Sequence, residues 1–268
     1  AVPARIAGVS NIVIATPARN ITPALLYAAK LCGINSIYRI GGPAVIAALA
    51  IGTKTIAKVD FIAGPGNVFV NEAKRQLFGK VGIDSLAGPS EVVIVADEKS
   101  NVDFIVADIS AQVEHDPQAK AYLITNSKKV IALVKKQLTN NIARQTEFIY
   151  AKDCDFAKLI NNIAPEHLEI MTEKPTKILS QVKNAGAVFV GHYTPTAFGD
   201  YLAGPSHVLP TGASAKFSSG LSVLTFLKRS SFSNYSIKSA KKNAPLVAKI
   251  ARAEGLVEHA NSALLRGK

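Results

Sequence analysis

The sequence has no tryptophan, one methionine and two cysteines in 268 residues, and only 7% of it is aromatic. Two thiols, Cys32 and Cys154, cannot build a disulfide framework, and no secretory leader is expected ahead of the first predicted strand. A reducing cytoplasm is the expected setting. No apolar run reaches the roughly 18 residues that a membrane-spanning helix needs, so a soluble chain with no membrane partner is expected. Acidic residues are the scarcer sign: 19 Asp and Glu against 31 Lys and Arg leave a net charge of +12. Nucleic-acid surfaces concentrate such charge and interleave aromatics with it. Here the lysines are spread in pairs along predicted helices, as at Lys128–Lys129, Lys135–Lys136 and Lys241–Lys242, which reads as solvated faces and no nucleic-acid partner.

What is present is apolar: 48% hydrophobic residues, 19% charged and a mean hydropathy of +0.20, enough to offset chain entropy with a core. The chain opens with the β-branched run Ile12–Ala15, then Thr22–Pro23 and a helical spacing over Ala24–Leu31 ended by Gly33. The cycle repeats with Ser36–Ile40, Gly41–Gly42–Pro43 and a helix through Ile46–Leu49. It repeats again with Phe61–Ile62, Gly64–Pro65–Gly66–Asn67 and a helix carrying Glu72, Lys74 and Arg75. A second series starts at Glu91–Ala96 and continues with helix Val102–Glu114, strand Ala121–Thr125, helix Lys128–Leu138 and strand Phe148–Tyr150. Strand Leu168–Met171, helix Thr176–Ala185 and strand Ala187–Val190 follow. Strand, glycine turn and helix in alternation predict an α/β fold with parallel sheets. After Pro210 the pattern turns polar and then helical, with Ala244–Ala253 and Val257–Leu265 the clearest segments. Boundaries are expected near residues 90 and 220, giving segments 1–90, 91–220 and 221–268.

Five histidines are available for chemistry, and any one of them alone is more often a satisfied structural residue than a ligand. Three segments change that weighting. Gln112 and His115, three apart at the end of a predicted helix, share a face and can aim an oxygen and a nitrogen at one point, a pairing that suits zinc. Pro165–Glu166–His167 falls between a helix and a strand and joins two proton acceptors of different basicity; an exposed polar turn is the plainer reading of the same residues. Gly199 to Thr211 is a glycine-punctuated loop holding Asp200 and His207, either a metal or substrate contact or a connection shaped by its Gly and Pro alone.

Gly64–Val70, Ala87–Glu91, Gln112–His115, Pro165–Leu168 and Gly199–Thr211, in this order, closely resemble the histidinol dehydrogenases, and Glu254 to Ser262 fits the end of that family. The resemblance covers essentially the whole chain. It implies two Rossmann-like parallel-sheet domains, 1–90 on the cofactor side and 91–220 with the metal and catalytic residues. A small C-terminal helical piece, 221–268, would reach a partner subunit. It implies NAD-dependent oxidation of L-histidinol to L-histidine in two steps through an aldehyde. In the family's pattern the zinc ligands fall on Gln112, His115, Asp200 and His259, and the catalytic residues on His167, which removes the alcohol proton, and Glu166, which activates water. Ser90, His207 and Glu254 match substrate contacts, joined by His167 and the metal ligands, and Asn67 matches a cofactor contact. Ala44 stands where the family has a cofactor-binding Gln. Family members also carry a stretch ahead of the match to Ala1, with a further cofactor contact, so a longer protein is expected. The resemblance further implies a homodimer with shared active sites. A zinc-dependent hydrolase using Glu166 as base is the alternative, distinguished by turnover without NAD.

Overall fold

Glu91–Ala96 reads EVVIVA, and Val92 through Ala96 are all completely buried. A run that is apolar on both faces belongs in a parallel strand covered by helices on either side. The computed structural model, which describes residues 1–114 and 116–268, builds that strand into the middle of a five-stranded parallel sheet. Numbered along the chain, the strands are β1 (Ile14–Ala15), β2 (Ile37–Tyr38), β3 (Phe61–Ile62), β4 (Gly82–Ile83), β5 (Glu91–Ala96), β6 (Lys120–Thr125), β7 (Thr146–Tyr150), β8 (His167–Met171) and β9 (Ala187–Val190). The helices are α1 (Val2–Ile6), α2 (Pro23–Leu31), α3 (Pro43–Ile51), α4 (Val68–Leu77), α5 (Val102–Glu114) and α6 (Lys128–Gln137). They continue with α7 (Asn140–Arg144), α8 (Phe156–Ile163), α9 (Pro175–Leu179), α10 (Thr196–Tyr201), α11 (Ile237–Ala253) and α12 (Val257–Arg266).

Residues 1–227 form one compact unit and residues 228–268 a second. In the first unit β1 pairs with β2 and β3 with β4, each in parallel and over two residues, around a core of Val45, Ile46, Leu49, Ala50, Ile62 and Val81. The larger sheet has the order β7-β6-β5-β8-β9. Its β5–β8 register places Val92 beside His167, Ile94 beside Glu169 and Ala96 beside Met171. Parallel neighbours in register share a face. Val92, Ile94, Ala96 and Met171 pack with Ile105, Ile109 and Val113 of α5, so His167 and Glu169 project toward the α5 side. Leu168 and Ile170 face the other side, against Phe156 and Ile160 of α8. In the second unit α11 and α12 pack through Ala248, Ala251, Ala260 and Leu264.

Several boundaries differ from the sequence reading. Strands β1 and β2 are two residues long, shorter than Ile12–Ala15 and Ser36–Ile40, because each finds a partner on one side only. Helix α9 stops at Leu179 instead of running to Ala185, and α11 starts at Ile237, carrying Pro245 inside it. Gly199 to Tyr201 lie within α10, so Asp200 stands on a short helix rather than in a loop. Among the described residues no helix is long and apolar enough to cross a membrane.

Candidate active site

Glu166 and His167 do not form an exposed polar turn. Their side chains are 8% and 7% exposed. The chain reaches them from α8 through Ala164, completely buried and held in the left-handed conformation at φ 51° and ψ 60°, a rare state for a residue with a Cβ. Gly186, at the start of β9, backs the same turn: a Cβ there would stand 2.6 Å from the Glu166 carbonyl oxygen, so only glycine fits.

Glu166 Oε2 accepts a hydrogen bond from the Glu91 N–H at 3.2 Å, and Ser90 hydrogen-bonds the same carboxyl. Burial pushes Glu166 up to about 7 in spite of those two bonds, and the charges of Glu91 and Asp200 add to the rise. His167 lies alongside, Nδ1 3.8 Å from Glu166 Oε2 and Nε2 4.0 Å from Asp200 Oδ1. Burial lowers the basicity of its imidazole; Asp200 and the Glu91 backbone oppose this, and His207 reinforces it. Among the described residues neither ring nitrogen has a hydrogen-bond partner of good geometry, an unusual condition for a buried imidazole. The site therefore holds a neutral imidazole with open nitrogens beside a carboxyl that changes protonation near neutrality.

Asp200 reaches His167 because Gly199 lets α10 lie against β9. A Cβ on Gly199 would stand 2.5 Å from Cζ of Phe189, whose ring in turn tilts against the His167 imidazole at 6.1 Å between centroids. Ser90 and Glu91 are held by the segment Ala87–Glu91, where the Gly88 N–H donates to Thr211 Oγ1 and Gly212 hydrogen-bonds Glu91 through its backbone. Gln112 is buried on α5, His207 is exposed, and His115 lies outside the described residues. Glu254 and His259 belong to the second unit, where both are exposed, Glu254 ending α11 and His259 lying in α12. Among the described residues no group of three His, Cys, Asp or Glu side chains stands ready for a metal.

Asn67 caps α4 through Oδ1, which accepts from the Val70 N–H at 3.1 Å. The turn before it is clamped from inside. Asp84 Oδ2 accepts the Gly64 N–H at 2.8 Å, while Lys74 Nζ donates to the Gly64 carbonyl at 2.9 Å and to Asp84 Oδ1 at 2.6 Å. Lys74, carried by the helix predicted after this turn, is 1% exposed. Asn71 Nδ2 bonds both Gly66 O and Ala87 O, joining this turn to the Ser90 segment.

The sequence reading passed over Glu169, the second residue after His167. It is completely buried, and its Oε1 accepts both the N–H and the O–H of Thr196, at 2.7 and 2.6 Å. A signal was available: a parallel strand covered on both faces should read apolar throughout, and β8 reads HLEIM.

A sequence profile described as Histidinol dehydrogenase matches residues 1–267. The histidinol dehydrogenase of Clostridium acetobutylicum is 45% identical over all of this chain and 66% of its own length. That of Thermosynechococcus vestitus is 48% identical over 99% of the chain and 66% of its length. The crystal structure of histidinol dehydrogenase from Elizabethkingia anophelis superposes with a TM-score of 0.92 at 35% identity, covering 99% of this chain and 65% of that one. The chain thus spans slightly less than two thirds of the relatives it matches.

Proposed function

The chain belongs to the histidinol dehydrogenase family, and from that membership we propose that the whole protein oxidises L-histidinol to L-histidine in two successive steps through an aldehyde. The observation that carries this reading is the buried imidazole with open nitrogens beside a carboxyl that titrates near neutrality. In the first step His167 takes the alcohol proton as hydride leaves the carbon; the neutral ring is in the form that can accept it. Glu166, ionised, takes a proton from the water that adds to the aldehyde. As the water adds, His167 returns its proton to the aldehyde oxygen and is neutral again. The hydrated aldehyde then loses a second hydride while His167 takes one of its O–H protons, giving the carboxylic acid, which ionises to the carboxylate as His167 and Glu166 release their protons to water. NAD⁺, when bound, supplies the hydride acceptor, one molecule for each step.

Gln112, His115, Asp200 and His259 would hold zinc, two imidazoles and two oxygens, a set whose chemistry fits that borderline cation. Zinc, when bound, supplies a redox-silent anchor for the substrate amine and imidazole. Ser90, His207 and Glu254 would contact the substrate and Asn67 the cofactor. The reading extends to a cytoplasmic homodimer that shares its active sites through the C-terminal helical piece. Exposed Leu246, Ile250, Val257 and Leu265 on α11 and α12 support an apolar subunit contact there.

The test is NADH formation by the purified protein from L-histidinol and, separately, from the amino aldehyde, with and without a chelator. His167→Asn should lower alcohol oxidation by about 10²–10⁴-fold. Glu166→Gln should spare that step and slow the aldehyde step. Equal losses at both steps in Glu166→Gln would remove its role with water, and turnover without NAD would point to hydrolysis instead.

A further inference from the structure

Three elements each contribute two residues to the same side of the large sheet. On β8 these are His167 and Glu169, two apart and therefore on one face. On α10 they are Thr196 and Asp200, one helical turn apart; on α5 they are Asp108 and Gln112, again one turn apart. One member of each pair belongs to the chemistry proposed above: His167, Asp200, Gln112. The other three meet behind it. Glu169 Oε1 takes both Thr196 donors, and the Asp108 carboxyl faces the remainder of the Glu169 carboxyl.

We infer that Glu169 is a positioning residue, whose carboxyl, fixed between Thr196 and Asp108, sets the spacing of the two helices that carry Asp200 and Gln112. The inference rests on the zinc reading of those two residues and adds a role to a side chain that touches neither substrate nor metal in it. Several observations favour an anchor over a packing accident. Glu169 is completely buried, a condition rare for a carboxylate and costly unless its oxygens are satisfied. Thr196 is the first residue of α10, where the helix has no cap of its own, and Glu169 serves its N–H from across the fold. Among the described residues Glu169 Oε2 lacks a donor partner, and Asp108 brings only acceptors when ionised. A proton on Glu169 resolves both facts, because Oε2–H can then donate to Asp108 while Oε1 continues to accept from Thr196. Burial and the Asp108 charge do hold Glu169 well above the usual carboxylate range.

A glutamine reproduces that protonated form: a carbonyl oxygen for Thr196 and an N–H for Asp108. The experiment is zinc affinity, measured by competition with a chromophoric chelator, for the purified protein and its Glu169→Gln, Glu169→Leu, Thr196→Val and Asp200→Asn variants, each with its unfolding midpoint. Glu169→Leu should bind zinc about 10–100-fold more weakly, the range of residues that orient a metal's ligands, and Thr196→Val should show a smaller loss. Glu169→Gln should bind close to the wild type. A Gln variant as impaired as Leu would overturn the assignment, as would a Leu variant that melts lower but binds zinc normally. Should Glu169→Leu fail to fold, Thr196→Val decides, and unchanged affinity there counts against the inference. Weakened binding in Asp200→Asn with none in Glu169→Leu sinks this inference alone. Unchanged binding in Asp200→Asn removes the zinc reading and the inference together.

Discussion

The glycine turn before α4 and the strand edge around Glu166 both bury carboxyl groups, and they do so by opposite means. Asp84 is compensated by Lys74, and the pair spends its remaining hydrogen-bonding capacity on the two sides of Gly64. Among the described residues Glu166 and Glu169 have no cation beside them; their hydrogen bonds come from Ser90, the Glu91 N–H and Thr196, and burial holds both above the ordinary carboxylate range. A buried acid matched by a cation is fixed in one charge state and works as a fastener. A buried acid matched only by neutral donors is free to gain or lose a proton, which is what an acid–base site or a shared-proton contact requires.

The sharpest way to break this comparison is Asp84→Ala. Removing one partner leaves Lys74 buried and unpaired and Gly64 without its acceptor, so stability should fall by about 3–5 kcal/mol in a denaturant titration. A loss within about 0.5 kcal/mol, the level of an ordinary surface change, would show that water reaches Lys74 and that the pair is no fastener. Gly199→Ala tests the other region through packing. The new methyl meets the Phe189 ring, and overpacking costs about 1–3 kcal/mol, partly offset by the better helix propensity of alanine. Thermal unfolding should therefore drop by a few degrees, with alcohol oxidation lowered as Asp200 and His167 are pushed apart; an unmoved midpoint would mean that Phe189 turns aside freely.

The smallest effect is a slope against pH. An ordinary glutamate releases its proton near 4.5, whereas folded Glu166 keeps it to about 7. Across that window the folded protein binds more protons than the unfolded chain, so stability falls as pH rises. The contribution of the neutral carboxyl is complete below about 4.5 and gone above about 7. Glu166→Gln stays neutral throughout, so in metal-free protein its melting temperature should gain on the wild type as pH is raised across this range. Parallel curves for the two proteins would mean that Glu166 ionises as easily in the fold as in water.

The larger sheet was the most legible part of the molecule. EVVIVA announces a buried strand by composition, whereas AVFV turns out to be a partly buried edge strand. Helices α5 and α6 fall where the alternation put them, while α7 was not foreseen. The small pairs β1–β2 and β3–β4 were legible in kind but not in length, since the extent of a strand depends on its neighbours and not on its own residues. Glu166 and His167 were readable as chemistry but not as buried groups, because the left-handed turn at Ala164 and the close approach of Gly186 are tertiary facts. Lys74 shows the same limit from the other side: a lysine on an amphipathic helix looks solvated until a partner such as Asp84, ten residues on, arrives beneath it. Glu169 was concealed by the apolar residues around it, although a charged side chain inside HLEIM is itself an anomaly.

Ser90, Glu91, Glu166 and His167 all stand at the amino ends of β5 and β8, the rim opposite the one where open α/β sheets usually take their ligands. In a parallel sheet each crossover helix runs back against the strands, so α5, α6, α8 and α9 all finish toward this rim. Their carbonyl ends give it a negative electrical pole that welcomes a cation and resists a phosphate. A cation is thereby favoured at this rim before any side chain is considered, whereas the start of α4 behind Asn67 carries the opposite polarity. Redesigning this rim to hold an anionic ligand would mean working against the polarity of the fold itself.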